Sequence, residues 1–312
     1  MTAVRRSIAD PTARDGYVQG VLALKAEHLG PTTNQLGIPG PATPVSTWDL
    51  FVVWHHRAMM TMTPPTQGDR NAAHSGPVFL PWHRFMLLLL EFQFQRVLGN
   101  PDFGLPYWDW GVAGDLPRPQ QPTQPLWSGT GIGGSGFPVG SGPFTPNAFR
   151  VRIDSDAQGT LRQTDRGLRR ALAVDVPTLP TTAQVRSALS QSRYDASPWD
   201  RSSSGLRNRL EGWAPVPGPA LHNRVHVWVG GDMAPATSPN DPAFYLNHCN
   251  VDRIWESWMA SGGREYLPGS TESTLLRGHR LTDPMHSLLT TQPVTPADIL
   301  DASSFYSYDA LL

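Results

Sequence analysis

Cysteine is nearly absent. Cys249 is the single one in 312 residues, which excludes an internal disulfide framework and any thiolate-rich metal site. Long apolar runs are missing as well: the longest, Phe85 to Leu90, has six residues, against the roughly 20 that a membrane-spanning helix needs. Neither sign of charge dominates, since 25 Lys and Arg face 26 Asp and Glu for a net charge of −1. A nucleic-acid or acidic-membrane partner held by bulk charge is therefore not expected. The opening residues, Met1-Thr-Ala-Val-Arg-Arg, lead into polar Ser-Ile-Ala-Asp rather than an apolar stretch, so no ordinary secretory signal is expected there. Repeats and heptads are lacking too.

Glycine and proline, at 29 and 31 residues, are abundant and punctuate the chain. Residues 17–27 are expected to be helical. So are residues 46–60, where Ser46 and Asp49 fit a capping box. The four prolines and two glycines of 61–81 predict a loop. A third helix over 82–98 is nearly all apolar in its first half, so it belongs in the centre, and Gly99 stops it. The Gly-, Pro- and Ser-rich stretch 111–150 is expected to be irregular. Its Gly129-Thr-Gly-Ile-Gly-Gly-Ser-Gly lacks the following Lys and Ser/Thr of a phosphate cradle. Shorter helices are expected over 159–172, 181–190 and 203–211, whereas 219–229 fits helix or strand. Asn240-Asp241-Pro242 starts a fourth core helix that runs to about Ala260. No linker divides the chain, so 1–312 is expected to form one domain.

Ten histidines carry the chemistry, and seven fall into two groups: His55/His56, His74 and His83, then His222, His226 and His248. His222 and His226 are four apart, on one face of a helix. His55 and His56 lie about 100° apart on a helix, and geometry leaves the choice between them open. One histidine among Trp and Leu is an ordinary packed residue. Six on strongly apolar elements, without a metal, would strand many buried donors and acceptors. Imidazole-only ligand sets suit copper, zinc or iron. No Glu-x-x-His pair stands beside them, against a carboxylate-bridged di-iron site. Two facing three-His sites suit a dicopper pair that binds dioxygen. A three-His zinc hydrolase would use one group and leave the other unexplained.

The segments Phe51-Val-Val-Trp-His-His56, His74-Ser-Gly-Pro-Val-Phe-Leu-Pro-Trp-His83 and Leu105-Pro-Tyr-Trp-Asp-Trp110 carry a resemblance. Leu210-Glu-Gly-Trp, Leu221-His-Asn-Arg-Val-His226 and Asn240-Asp-Pro-Ala-Phe-Tyr-Leu-Asn-His248-Cys-Asn-Val-Asp-Arg253 extend it. With these motifs the chain resembles the bacterial, streptomycete-type tyrosinases, coupled dinuclear (type 3) copper oxidases that include ortho-aminophenol oxidases. The resemblance implies a mainly α fold, in which a central four-helix bundle holds the dicopper site inside long loops with few short strands. It makes His55, His74 and His83 the ligands of one copper ion and His222, His226 and His248 those of the other. It also selects His55 over His56, and gives Asn223 and Glu211 the task of holding a water that deprotonates a bound phenol. Without the resemblance, Glu211 reads as a surface charge at a helix end.

The implied activity uses O2 to oxidise ortho-diphenols to ortho-quinones, or ortho-aminophenols to quinone imines in secondary metabolism; ortho-hydroxylation of monophenols would add tyrosinase activity. A haemocyanin-like oxygen carrier is the alternative from another class. The Pro-rich 212–221 loop, and Asn247 where many relatives carry His, make the aminophenol variant credible. Implied partners are a small phenolic or aminophenolic substrate and a copper-delivering helper protein. With no signal of its own, the chain is expected in the cytoplasm or exported with that helper. The family's C-terminal shielding domain is expected to be missing. Cys249 is expected to be a free buried thiol, and Asp252 either a salt-bridge partner or an aid to an imidazole. Trp108, Asp109 and Trp110 are expected to pack the core. His28, His279 and His286 lie outside every motif and are expected at the surface or in loops.

Overall fold

The computed structural model describes residues 2–215 and 217–312. It is mainly helical, and its elements follow the local signals of the chain. Strand β1, Ala3–Arg5, precedes helix α1, Pro11–Ala26, which starts six residues ahead of the expected position. Asp10 supplies the reason: its side chain accepts from Ala13 N at 3.0 Å, with Pro11 at the first turn, a stronger start signal than the apolar spacing further on. Helix α2, Thr47–Met60, begins at Ser46, whose hydroxyl accepts from Asp49 N. Helix α3, Phe79–Leu98, ends at Gly99 in the left-handed conformation. Trp110–Gly114 forms the short α4; two 3-10 turns, Arg118–Thr123 and Pro125–Trp127, follow, and the chain is then irregular to residue 150.

The expected helix over 159–172 is not there. Val151–Ser155 (β2) and Leu161–Arg166 (β3) form an antiparallel hairpin. Asp156 turns the chain, accepting from Gln158 N and Thr160 N, with Gly159 at φ +79°. This turn, and the burial of Ile153 and Leu161 against Val53 of α2, outweigh a weak helical pattern. Helices α5, Thr182–Leu189, and α6, Leu206–Glu211, follow. The ambiguous 219–229 segment is helix α7, Leu221–Val229. Helix α8, Ala243–Gly262, α9, Pro296–Ile299, and strand β4, Tyr306–Tyr308, complete the chain, and β4 pairs in parallel with β1.

Helices α2, α3, α7 and α8 carry five of the six candidate ligands, and His74 lies on the loop before α3. Helix α3 packs on α1 and α8, and α7 packs on α6 and α8. Indoles fill the centre: Trp48, Trp54, Trp82, Trp110, Trp228 and Trp255 are fully buried. Two ionic clamps hold the outer segments. Arg170 meets Asp241 in two bonds of 2.7 Å at the start of α8, and it also donates to the carbonyls of Ile132 and Gly133. Asp252 accepts from Arg5, Arg84, Tyr306 and Tyr308. Among the described residues, no helix is long and apolar enough to cross a membrane.

Candidate metal centre

The two histidine groups meet inside this bundle. His55, His74 and His83 place their nitrogens within 4.8 Å of one another, and so do His222, His226 and His248. The groups are neighbours, because the rings of His83 and His248 stack at 4.0 Å with a 10° tilt. His56 turns the other way and bonds through Nε2 to Gly159 O at 2.7 Å, tying α2 to the hairpin. Of the adjacent pair, only His55 faces the other histidines.

Backbone carbonyls fix the state of four of the six rings. His55 Nδ1 lies 2.7 Å from Ala236 O, His83 Nδ1 2.8 Å from Phe79 O, and His226 Nδ1 2.7 Å from Met233 O. His222 Nδ1 faces Glu211 O at 3.2 Å and Asn223 Oδ1 at 3.1 Å. A carbonyl oxygen only accepts, so each Nδ1 must carry the hydrogen and donate. The lone pair is then on Nε2, and the Nε2 atoms of His55, His83 and His226 are buried without a protein partner. His222 Nε2 and His248 Nε2 confront each other at 3.2 Å. Burial lowers the imidazoles further, to about 3 for His55 and about 4 for His226, so at neutral pH the rings are uncharged. Neutral, tautomer-locked imidazoles with bare inward nitrogens are what a soft or borderline first-row cation requires.

Two phenylalanines frame the rings, and the sequence reading missed both. Phe244 lies 4.2 Å from the His248 ring and 4.9 Å from that of His55, and Phe79 lies 4.8 Å from His222 and 4.9 Å from His83 (ring centroids). Each stands four residues before a ligand on the same helix, so helical spacing was the available signal. Behind the first triad, Trp54 and Trp82 both donate to His286 O.

The loop carrying His74 is fixed from several sides. Asn71 Oδ1 accepts from Ala73 N and His74 N. Ser75 is held at φ +64°, unusual for a residue with a side chain, while its N–H donates to Glu211 Oε1 at 2.6 Å. His279 is fully buried rather than at the surface. It touches Thr63 Oγ1 and receives Val78 N–H, and burial beside Arg70 takes it down to about 3. An uncharged ring is thus a wedge under this loop.

Glu211 is also buried, not a helix-end surface charge. Burial pushes its carboxyl up, against the pull of Arg207, Ser75 and Trp213. Arg207 bridges it to Asp195, whose carboxyl burial also raises. Asn223 stands on the cavity wall, and its Nδ2 is a buried donor with no protein acceptor. Of the 212–221 loop between Glu211 and His222, Val216 lies outside the described residues. Asn247 is buried, and neither end of its amide has a protein partner. Cys249 is free and buried, and burial lifts its thiol far above the ordinary range. Asp252 makes ion pairs with Arg5 and Arg84, the structural one of the two roles left open for it.

A cleft of about 510 Å³ opens over the two triads, with Ser75, Arg201, Trp213, Asn223 and Val227 in its walls. A larger cleft of about 720 Å³ near Lys25 and Arg152 contains no histidine group; the ligand chemistry, not the volume, identifies the centre.

The sequence model for the common central domain of tyrosinase matches residues 45–261. Tyrosinase of Streptomyces antibioticus is 38% identical over 269 residues, covering 84% of this chain and 89% of that protein. Grixazone synthase of Streptomyces griseus is 36% identical over 289 residues, with 84% and 90% covered. Among solved structures, a polyphenol oxidase from Thermothelomyces thermophila superposes with a TM-score of 0.68 at 22% identity, over 99% of this chain and 89% of that one. A functional unit of octopus hemocyanin superposes at 0.58 and 20% identity, over 99% and 68%. These two likenesses are of fold.

Proposed function

This chain belongs to the tyrosinase family of dinuclear copper oxidases, and from that premise we propose that its own activity is the oxidation of ortho-diphenols and ortho-aminophenols, with monophenol hydroxylation the slower reaction. It is a tyrosinase-like oxidase whose cofactor is a copper pair and whose substrates are phenolic. His55, His74 and His83 would hold one ion and His222, His226 and His248 the other. The observation that carries this assignment is that His55, His83 and His226 each leave a buried Nε2 bare while Nδ1 donates to a carbonyl. Copper bound there supplies two-electron exchange with O2.

The protein orients, shields and moves protons. The carbonyls of Ala236, Phe79 and Met233 aim the rings, and Phe79 and Phe244 keep water from their sides. Asn223 Nδ2 is the donor that would hold a water or a substrate oxygen beside His222. In this reading Glu211 acts with Asn223 on the phenol proton, but its carboxylate is already engaged by Ser75 N–H and Arg207. That engagement is why hydroxylation of monophenols is assigned the slower rate. A helper that delivers copper, and a cytoplasmic or helper-dependent exported location, belong to the same reading, as does a single domain over 1–312.

The test is oxygen uptake by the copper-loaded protein with tyrosine, catechol and 2-aminophenol side by side, with metal analysis of the same sample. Two coppers per chain and faster uptake with catechol and 2-aminophenol than with tyrosine are expected. Tyrosine turnover matching catechol would overturn the slower assignment. Reversible O2 binding without turnover would make the protein a carrier, and a zinc-loaded, copper-free active form would make it a hydrolase.

A further inference from the structure

The cleft over the triads has one formally charged residue in its walls, Arg201. Its Nε donates to Ser75 Oγ at 3.0 Å, and its guanidinium lies over the Trp213 ring at 4.3 Å. Ser75 directly follows His74, so the cation is tied to the residue next to a candidate ligand. The neighbouring Arg207 is shared by two carboxylates. Among the described residues, by contrast, no carboxylate pairs with Arg201. Its two contacts use Nε and one face of the plane and leave both terminal amino groups for a ligand. The other walls are neutral: Met59, Pro219, Val227 and Pro235 are apolar, and Asn223 is an amide.

We propose that Arg201 is a specificity-determining residue, which takes the carboxylate of an anionic phenolic substrate while the ring's hydroxyl end points to the triads. The proposal rests on the oxidase reading above and adds the substrate's charge to it. A planar guanidinium presents two parallel donors that match a carboxylate. Stacking on Trp213 and the bond to Ser75 hold the fork in one orientation beforehand, so little side-chain freedom remains to be lost on binding. The cleft volume suits one substituted ring with a short acidic arm.

The test compares 3,4-dihydroxybenzoate with its methyl ester in the copper-loaded parent, Arg201→Gln and Arg201→Lys proteins. The acid-to-ester ratio of kcat/KM is expected to fall about tenfold in Arg201→Gln, mainly through KM, with part of it retained in Arg201→Lys. An unchanged ratio, even with both rates lowered together, would overturn the proposal and reduce Arg201 to a prop for Ser75 and Trp213. Calorimetry on the copper-loaded protein under argon, with 4-hydroxybenzoate and its methyl ester, gives a second readout: the acid should bind more tightly, and Arg201→Gln should erase the difference. Were the parent to consume oxygen with neither compound, the oxidase reading would fail, while the calorimetric difference would still decide the role of Arg201.

Discussion

Gly76 stands two residues beyond His74, and a Cβ there would lie 2.7 Å from His279 Cε1 and 2.8 Å from Arg70 Cδ. The Arg70 stem can move aside, but the buried His279 ring has nowhere to go. Gly76→Ala should therefore displace the loop, at a cost of about 1–3 kcal/mol, and weaken binding of the copper that His74 would hold. Denaturant unfolding and competition with a chelator would measure the two effects. Full copper retention in a normally stable variant would show that the loop yields without moving the ligand. At this scale the six histidines were legible because imidazoles at short spacings on apolar segments have few other uses. The choice of His55 over His56 was not legible from geometry, since the Gly159 carbonyl that takes His56 lies on a hairpin distant in sequence. His279 was missed for the same reason: its partners, Thr63 and Val78, are some 200 residues away.

Helix α8 carries His248 and is pinned at its start by Asp241, which caps Ala243 N and takes both arms of Arg170. Both charged side chains are fully buried. Arg170→Ala would leave the carboxylate alone in the interior, and a loss of about 3–5 kcal/mol is expected, read from a denaturant titration. A loss under about 1 kcal/mol, the scale of an exposed pair, would mean that Asp241 is stabilised by the α8 amide instead. Several capped elements were readable from local sequence: Ser46 and Thr181 start α2 and α5 where expected, and Gly99 ends α3, although the Asp10 cap of α1 was overlooked. The β2–β3 hairpin was misread because its sequence, Leu-Arg-Gln-Thr-Asp-Arg, alternates weakly. What fixes it as strand is packing of Leu161 and Ile153 on α2, a tertiary effect.

Across the whole molecule, Asp252 joins three distant segments to α8: β1 through Arg5, α3 through Arg84, and β4 through two tyrosine hydroxyls. Burial works to raise its carboxyl, but the two arginines and the hydroxyls outweigh burial and hold it below the ordinary value. The unfolded chain, near 3.9, then binds the proton more readily than the folded one. The stabilisation from Asp252 is complete above that value and is lost as pH falls through the folded one. Unfolding midpoints measured from about pH 6 down to 3 should decline for the parent. Asp252→Asn should be less stable at pH 6 and show a flatter decline, and parallel curves would remove Asp252 from the acid sensitivity. The helical bundle and its pair of histidine triads were legible through long motifs. The pairing of the first strand with the last was not, because three-residue strands carry no periodicity.

That pairing also sets a timetable. Tyr306 and Tyr308, the partners of Arg5 around Asp252, leave the ribosome some 300 residues behind it. At about 5–20 residues per second, the cation waits on the order of 15–60 s for them. Asp252 lies one helical turn past His248, so the scaffold beneath this candidate ligand is finished only once Tyr306 and Tyr308 have been made. Copper supplied before then would meet a His248 whose supporting turn is not yet tied down.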